Sequence, residues 1–234
     1  MRKPFRFKQF EIFQDKTAMK VGTDGVLLGA WANPENANKI LDIGTGTGLI
    51  SLMLAQRNNQ AEVFALEIEK NAFEQAKENF ENSIWEKRIV IENCSLQEFQ
   101  TEEKFDLIVS NPPFYTTTFK NEDEKRALAR HSESLPYEKL LEKTSELLST
   151  EGKCSFIIPF TEEENFIQIA KDFKLYPERI TRVRGRKEAP LKRSLLEFSF
   201  KQKEVKISEL IIEIERHHYT EEYVKIVKDF YLKM

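Results

Sequence analysis

The sequence predicts a doubly wound α/β protein: seven strands in a mostly parallel sheet, an antiparallel hairpin at one edge and a short N-terminal extension. Three observations carry this. From residue 39 onward, short apolar β-prone segments alternate with helix-compatible ones, the pattern of successive βαβ units. Six of the eight glycines fall between Gly22 and Gly48, so the backbone there either turns tightly or approaches something closely. A buried-strand pattern at Phe105–Ser110 stops abruptly at Asn111-Pro112-Pro113, a rigid turn whose two prolines donate no backbone hydrogen bond.

With 234 residues, 40% of them hydrophobic and 18 of them Phe, the chain can bury one sizeable core. Residues 1–35 read as an extension packed on a domain spanning 36–234. A charged fraction of 32% and a mean hydropathy of −0.52 predict a soluble protein. No apolar run approaches the roughly 20 residues of a membrane helix. Met1-Arg2-Lys3-Pro4 opens no apolar signal core, which predicts a cytoplasmic protein. Cys94 and Cys154 fall within or beside buried strands and are expected to be reduced. A net charge of −3 argues against uniform binding to a polyanion but leaves local patches open.

In chain order, Phe5, Phe7, Phe10 and Ile12 suggest short extended pieces, interleaved with Arg2, Lys3, Arg6, Lys8, Lys16 and Lys20. These bases and rings either contact nucleic acid, with Arg6 and Lys8 as candidates, or form a lid packed on the domain. Residues 39–43 read as the first buried strand and Leu49–Gln56 as the helix after it. The alternation continues with a strand at Ala61–Leu66, a helix from Glu69 to Phe80, and strands at Arg88–Glu92 and Phe105–Ser110. Next come a charged, helix-compatible connection at Asn121–Arg130 and a helix near Pro136–Leu148. A strand at Lys153–Pro159 and a helix at Glu162–Phe173 follow. Leu175–Arg184 and Leu195–Phe200 then form the hairpin, Leu210–Ile214 another short strand, and Thr220–Tyr231 a C-terminal helix.

In open α/β sheets, ligands bind beyond the carboxyl ends of the strands, at the switch point near the first strand. Asp42-Ile43-Gly44-Thr45-Gly46-Thr47-Gly48 lies there. Its G-x-G-x-G spacing is close to the dinucleotide fingerprint without matching it, and glycine turns serve NAD, FAD and S-adenosylmethionine (SAM) alike. Glu67, ending the second strand, is placed to accept hydrogen bonds from ribose hydroxyls in any of these. Asp42 crowds a pyrophosphate but suits the cationic amino end of a methionine group; it can also be a structural acid capping nearby backbone. Polar groups of Asn93 and Ser95, after the third strand, are candidates for an adenine edge.

Asn111-Pro112-Pro113-Phe114 suits a planar nitrogen. An exocyclic amine or amide is a weak nucleophile because its lone pair is delocalised. If the Asn111 side-chain oxygen and the Pro112 carbonyl accept its two N–H protons, electron density rises and the nitrogen is pushed toward pyramidal. Catalysis is then positioning and electrostatics. Phe114 stacks on the base or amide plane, and a base must leave its stack to reach such a pocket. In isolation the motif is also compatible with a rigid turn that has no chemistry.

Taken with the glycine loop, Asn-Pro-Pro-Phe resembles the (N/D)PP(Y/F) motif of class I SAM-dependent amino-group methyltransferases, whose sheet is Rossmann-like. The entrance Gln14-Asp15-Lys16 and Ala18 to Trp31 narrows the resemblance. So do Leu41–Ile50, Pro190-x-Lys192-Arg193, Leu195–Phe198 and the ending Tyr219–Tyr223. Together they resemble the bacterial tRNA methyltransferases that modify N6 of the adenine beside the anticodon of a valine tRNA. The resemblance implies SAM as cofactor, tRNA as partner, and Lys20 to Gly25, including Thr23, closing over the methionine end. It also implies that Gly44, Gly46, Glu67 and Asn111 bind the cofactor. One departure is Ser95, where relatives of this fold usually carry an acid.

Residues 179–193 hold Arg179, Arg182, Arg184, Arg186, Lys187, Lys192 and Arg193 against one acid, Glu188, and are expected to form a phosphate-binding ridge. Reversing Arg184 and Arg186 to Glu is expected to weaken tRNA binding while sparing SAM. His131, His217 and His218 lack the spacing of a metal set, so no metal is expected. A monomer is favoured. The rival readings are a protein glutamine-N5 methyltransferase, an RNA guanine-N2 methyltransferase and a non-catalytic RNA-binding protein on the same scaffold.

Overall fold

The computed structural model describes residues 3–17, 20–113 and 135–234. Phe114, His131 and the Asn121–Arg130 connection lie outside the described residues. The main sheet is built from β3 (Lys39–Ile43), β4 (Glu62–Leu66), β5 (Ile89–Glu92), β6 (Phe105–Ser110), β7 (Leu148–Pro159), β8 (Tyr176–Arg184), β9 (Leu191–Ser199) and β10 (Lys206–Ile211). Two small antiparallel pairs complete the strands: β1 (Phe5–Arg6) with β2 (Glu11–Ile12), and β11 (Glu213–Glu215) with β12 (His218–Tyr219). The helices are α1 (Thr23–Trp31), α2 (Leu49–Arg57), α3 (Lys70–Glu81), α4 (Tyr137–Leu147), α5 (Glu163–Asp172) and α6 (Glu221–Val227).

The sheet order is β10-β8-β9-β7-β6-β3-β4-β5. Pairing is parallel from β5 through β4, β3 and β6 to β7, and β9 alone is antiparallel to its neighbours β7 and β8. The chain leaves β3 toward β4 and β5, then returns to lay β6 and β7 on the other side. The crevice between the carboxyl ends of β3 and β6 is therefore the switch point.

Strand alternation sorts the core into two layers. Ile40, Val63, Leu107 and Val109 pack with α1, α2, α3 and α6 on one face. Leu41, Phe105, Ile108, Phe156 and Phe198 pack with α4 and α5 on the other.

Two expectations are corrected and one unassigned helix is found. Among the described residues the sheet has eight strands, not seven, because β10 adds in parallel to β8 and takes the edge that the hairpin was expected to form. Most of β10 is exposed, so its sequence shows little apolar alternation. Residues 23–31 form a helix that two internal glycines hide from a propensity reading. A Cβ on Gly29 would stand 2.7 Å from Met53 Sδ, so the missing side chain is what lets α1 cross α2 closely. Third, α6 stops at Val227 rather than Tyr231, because Tyr231 leaves to bridge Phe7.

A charge network ties the amino-proximal half of β7 to the β8–β9 pair. Lys153 lies 2.9 Å from Glu178 and 3.1 Å from Glu197, and Lys203 lies 3.0 Å from Glu178. Burial pushes the Glu178 carboxyl up, but the Ser199 hydroxyl and the two ammonium groups outweigh it and hold it down at about 2, against an ordinary 4.5. The folded chain thus binds this proton more weakly than the unfolded chain. The stability it contributes is present above pH 4.5 and is lost as pH falls toward about 2. Urea midpoints measured across that window should fall, and Glu178→Gln should flatten the fall; an equal slope in both proteins would contradict this assignment.

Candidate active site

A cleft of about 420 Å³ opens at the switch point, lined by Lys20 to Gly25, Gly44 to Thr47, Leu49, Ile50 and Asn111 to Pro113. That volume lies within the usual range for a small-molecule site, roughly 300–1,000 Å³. The loop after β3 is pinned from behind: Gly44 N and Thr45 N both donate to Leu66 O, at 2.9 and 3.0 Å. Gly44 and Gly46 take φ of +71° and +60°, in the left-handed region, and a Cβ at either would meet nothing within 4 Å. Their lack of side chains leaves space on the cleft side rather than relieving a clash inside the protein.

Two helices point their N-termini at this space. The first turns of α1 and α2 both line it, and their N-cap positions are Gly22 and Gly48, which have no side chain with which to cap the helix. Free amides at a helix start favour an anionic group. Thr23 and Gly25 thus lie at the cleft in the first turn of α1. Lys20 lies there too, but its ammonium donates to Gln14 O and, at 2.9 Å, to Thr17 O.

Asp42 stands behind the loop, fully buried in β3. Its Oδ2 accepts from the hydroxyls of Thr45 (2.6 Å) and Ser51 (2.7 Å), while Oδ1 has no partner among the described residues. Burial pushes its carboxyl up to about 6, against the pull of those hydroxyls. Glu67, the residue after β4, has both oxygens engaged, accepting from Gly46 N at 2.8 Å and from Glu69 N at 2.9 Å. Burial raises this carboxyl also.

Past β5, Asn93 Nδ2 donates to Glu67 O (2.7 Å) and Ile68 O (3.1 Å), bracing the turn that carries Glu67. Ser95 and Glu98 form a reciprocal capping box: Ser95 N donates to Glu98 Oε2 and Glu98 N to Ser95 Oγ, each at 3.2 Å. Both side chains therefore hold local structure.

Across the crevice, the Ser110 hydroxyl donates to Ile43 O at 2.8 Å, fixing the end of β6 to the end of β3. One residue later, Asn111 Oδ1 is buried and accepts no hydrogen bond among the described residues. A buried amide oxygen without a donor costs free energy unless something supplies one. Its residue lines the cleft, with Pro112 and Pro113 fixing the backbone beside it.

The comparisons with known proteins agree with this geometry. A family model described as the methyltransferase small domain matches residues 16–159. A protein of Christiangramia forsetii named tRNA1(Val) (adenine(37)-N6)-methyltransferase is 54% identical, covering 99% of this chain and 98% of its own length. One of the same name from Flavobacterium johnsoniae is also 54% identical, over 98% of this chain and 100% of its own. The chain belongs to the tRNA1(Val) (adenine(37)-N6)-methyltransferase family. Its fold is also that of a predicted O-methyltransferase from Agrobacterium tumefaciens, with a TM-score of 0.68 at 18% identity over 88% of this chain and 96% of that one.

In this member of the tRNA1(Val) methyltransferase family, the basic hairpin rises at the carboxyl edge of the sheet, as the cleft does. Ser110 is level with Phe156, and Arg193 pairs with Pro159 three residues further on, so the hairpin stands roughly 10 Å beyond the end of β6. Its arginines are less available than composition suggests. Arg182 grips the buried Glu163 with Nε (3.0 Å) and Nη2 (2.7 Å), Arg184 meets Glu209 at 2.7 Å, and Arg186 meets Glu213 at 3.4 Å. Arg193 meets Asp24 at 2.8 Å. Lys187 and Lys192 are exposed and have no ion-pair partner among the described residues.

At the N-terminus, Arg6 pairs with Glu11 at 2.8 Å, and Lys8 donates to Lys228 O at 2.6 Å. Neither lines the cleft. Asp24, inside the Lys20 to Gly25 segment expected at the cofactor, lines the cleft and binds Arg193 from 169 positions away, a pairing that sequence reasoning did not foresee. Among the described residues, no group of three or more His, Cys, Asp or Glu side chains is placed to hold a metal. Nor is any described helix long and apolar enough to cross a membrane.

Proposed function

We propose that this chain transfers a methyl group from SAM to the exocyclic N6 of an adenine in tRNA, that of position 37 in a valine tRNA. The observation that carries the reading is Asn111 Oδ1, a buried acceptor without a donor at the wall of a glycine-lined cleft.

The residues present fit the cofactor. Gly44 and Gly46 leave the cleft side of their loop open. The first-turn amides of α1 suit the carboxylate of the methionine end, with Lys20, Thr23 and Gly25 around it. Glu67 would hold the ribose hydroxyls, with Asn93 and Ser95 shaping the adenine end through the turns they brace. Asp42 would act through Thr45 and Ser51, holding the loop. When bound, SAM supplies an electrophilic methyl group on its sulfonium sulfur.

Toward the substrate, Asn111 Oδ1 and the Pro112 carbonyl would accept the two N6–H protons. The backbone that carries both acceptors is fixed before the base arrives: Ser110 is tied to Ile43 O one residue before Asn111, the Pro112 ring sets its own φ, and Pro113 restricts the ψ that aims the Pro112 carbonyl. Preorganised acceptors of this kind favour the pyramidal nitrogen more than the planar one, and so lower the barrier. Phe114, next in sequence to Pro113, would stack on the base plane. One N–H proton is released once the nitrogen carries the methyl group. This reading implies a cytoplasmic enzyme, acting as a monomer, with residues 1–35 as an extension on a 36–234 catalytic domain.

The reading is tested by incubating the protein with methyl-labelled SAM and either bulk bacterial tRNA or bulk protein. Label in tRNA is expected; label confined to protein would favour glutamine-N5 methylation instead.

The RNA is proposed to lie along the hairpin rim, with Lys187 and Lys192 its free phosphate contacts and Arg184 and Arg186 beside them. Reversing the two arginines would also break their pairs with Glu209 and Glu213, so the two lysines give the cleaner test. Lys187→Glu with Lys192→Glu should weaken tRNA binding about tenfold or more and flatten its salt dependence. Affinity for S-adenosylhomocysteine should stay unchanged. Unaltered tRNA affinity in filter binding would remove the hairpin from the RNA path.

A further inference from the structure

Arg193 belongs by composition to the basic hairpin, yet its guanidinium reaches a residue of the cleft wall. Its Nε donates to Asp24 Oδ2 at 2.8 Å and its Nη1 to Lys192 O at 2.9 Å. Asp24 stands in the first turn of α1 and lines the cleft. That turn has a glycine at its N-cap and no capping side chain. Asp and Asn side chains readily hydrogen-bond backbone amides close by in sequence, and acids are favoured at helix starts. Asp24 is therefore the residue placed to close this helix start on itself. Instead its carboxylate is drawn across to a strand 169 positions away.

We infer that Arg193 is a positioning residue for the cofactor, holding the Asp24 carboxylate off the first turn of α1 so that its amides stay open to a carboxylate ligand. The inference rests on the reading of the cleft as the SAM site. Two effects follow from losing Arg193. The freed carboxylate competes for the donors that the methionine carboxylate needs, and its charge, no longer neutralised, repels that ligand group across a short distance. A phosphate contact, the role that the hairpin's composition suggests for Arg193, would have neither consequence in the absence of RNA.

The test is calorimetric titration of the full chain with S-adenosylhomocysteine, without RNA. Arg193→Gln should bind about tenfold more weakly than the unsubstituted chain. Adding Asp24→Ala to Arg193→Gln should bring affinity back to within about threefold of the unsubstituted chain, a recovery that a merely misfolded variant would not show. Undiminished affinity in Arg193→Gln would overturn the inference, as would a double variant as weak as the single one. An unsubstituted chain that binds no S-adenosylhomocysteine would instead count against the cofactor reading itself.

Discussion

Asn111→Ala should lower the rate constant for methyl transfer by about 10²–10³-fold, the usual cost of removing one preorganised hydrogen-bonding group from a transition state. The loss should fall on kcat. The Asn111 oxygen makes no bond to the rest of the described protein, so its removal leaves the fold with no broken contact at that atom. Affinity for S-adenosylhomocysteine should change by about threefold at most, because the proposed bond goes to the adenine rather than to the cofactor. Single-turnover kinetics with saturating tRNA, run beside calorimetry, separates the two. A variant that keeps its full rate would mean that Asn-Pro-Pro is only a turn.

Gly46→Val should abolish measurable cofactor binding, weakening it by about 100-fold or more, while the chain still folds. The two halves of that expectation have different causes. A β-branched residue at φ of +60° costs on the order of 1–3 kcal/mol in backbone strain, which a protein of this size tolerates. A Cβ added there meets no atom within 4 Å, so the side chain starts into open space. That space is the cleft. Thermal unfolding gives the first quantity and titration with S-adenosylhomocysteine the second. A variant with intact affinity would show that the ligand does not approach the loop at Gly46.

Parts of this molecule were legible because local signals agreed. Residues 39–43 and Phe105–Ser110 are strands with the expected bounds, since each is a short β-prone run closed by glycine or proline. The cleft was legible for the same reason: its loop and the Asn-Pro-Pro turn follow those two strands, and parallel pairing brings their ends together.

What stayed hidden depends on distant partners. The helix at 23–31 packs closely on α2 because Gly29 faces Met53 across the crossing, and glycine's poor propensity masks it. The basic run at 179–193 looked free because the acids that answer it, Asp24, Glu163, Glu197, Glu209 and Glu213, lie outside the run. Asn93 braces Glu67 O and Ile68 O from 26 and 25 positions away, which local sequence does not show, whereas the Ser95–Glu98 bond is a local Ser-x-x-Glu capping box. Composition reports charge, whereas only the fold reports which charges have been paired.

The central claim is that the Asn111 pocket methylates an adenine amino group. It is tested most directly by treating unmodified valine tRNA with the protein and SAM, digesting the RNA to nucleosides and identifying the product by mass spectrometry. N6-methyladenosine should form with the unsubstituted protein and fall with Asn111→Ala. N2-methylguanosine in its place, or no methylated nucleoside at all, would contradict the account.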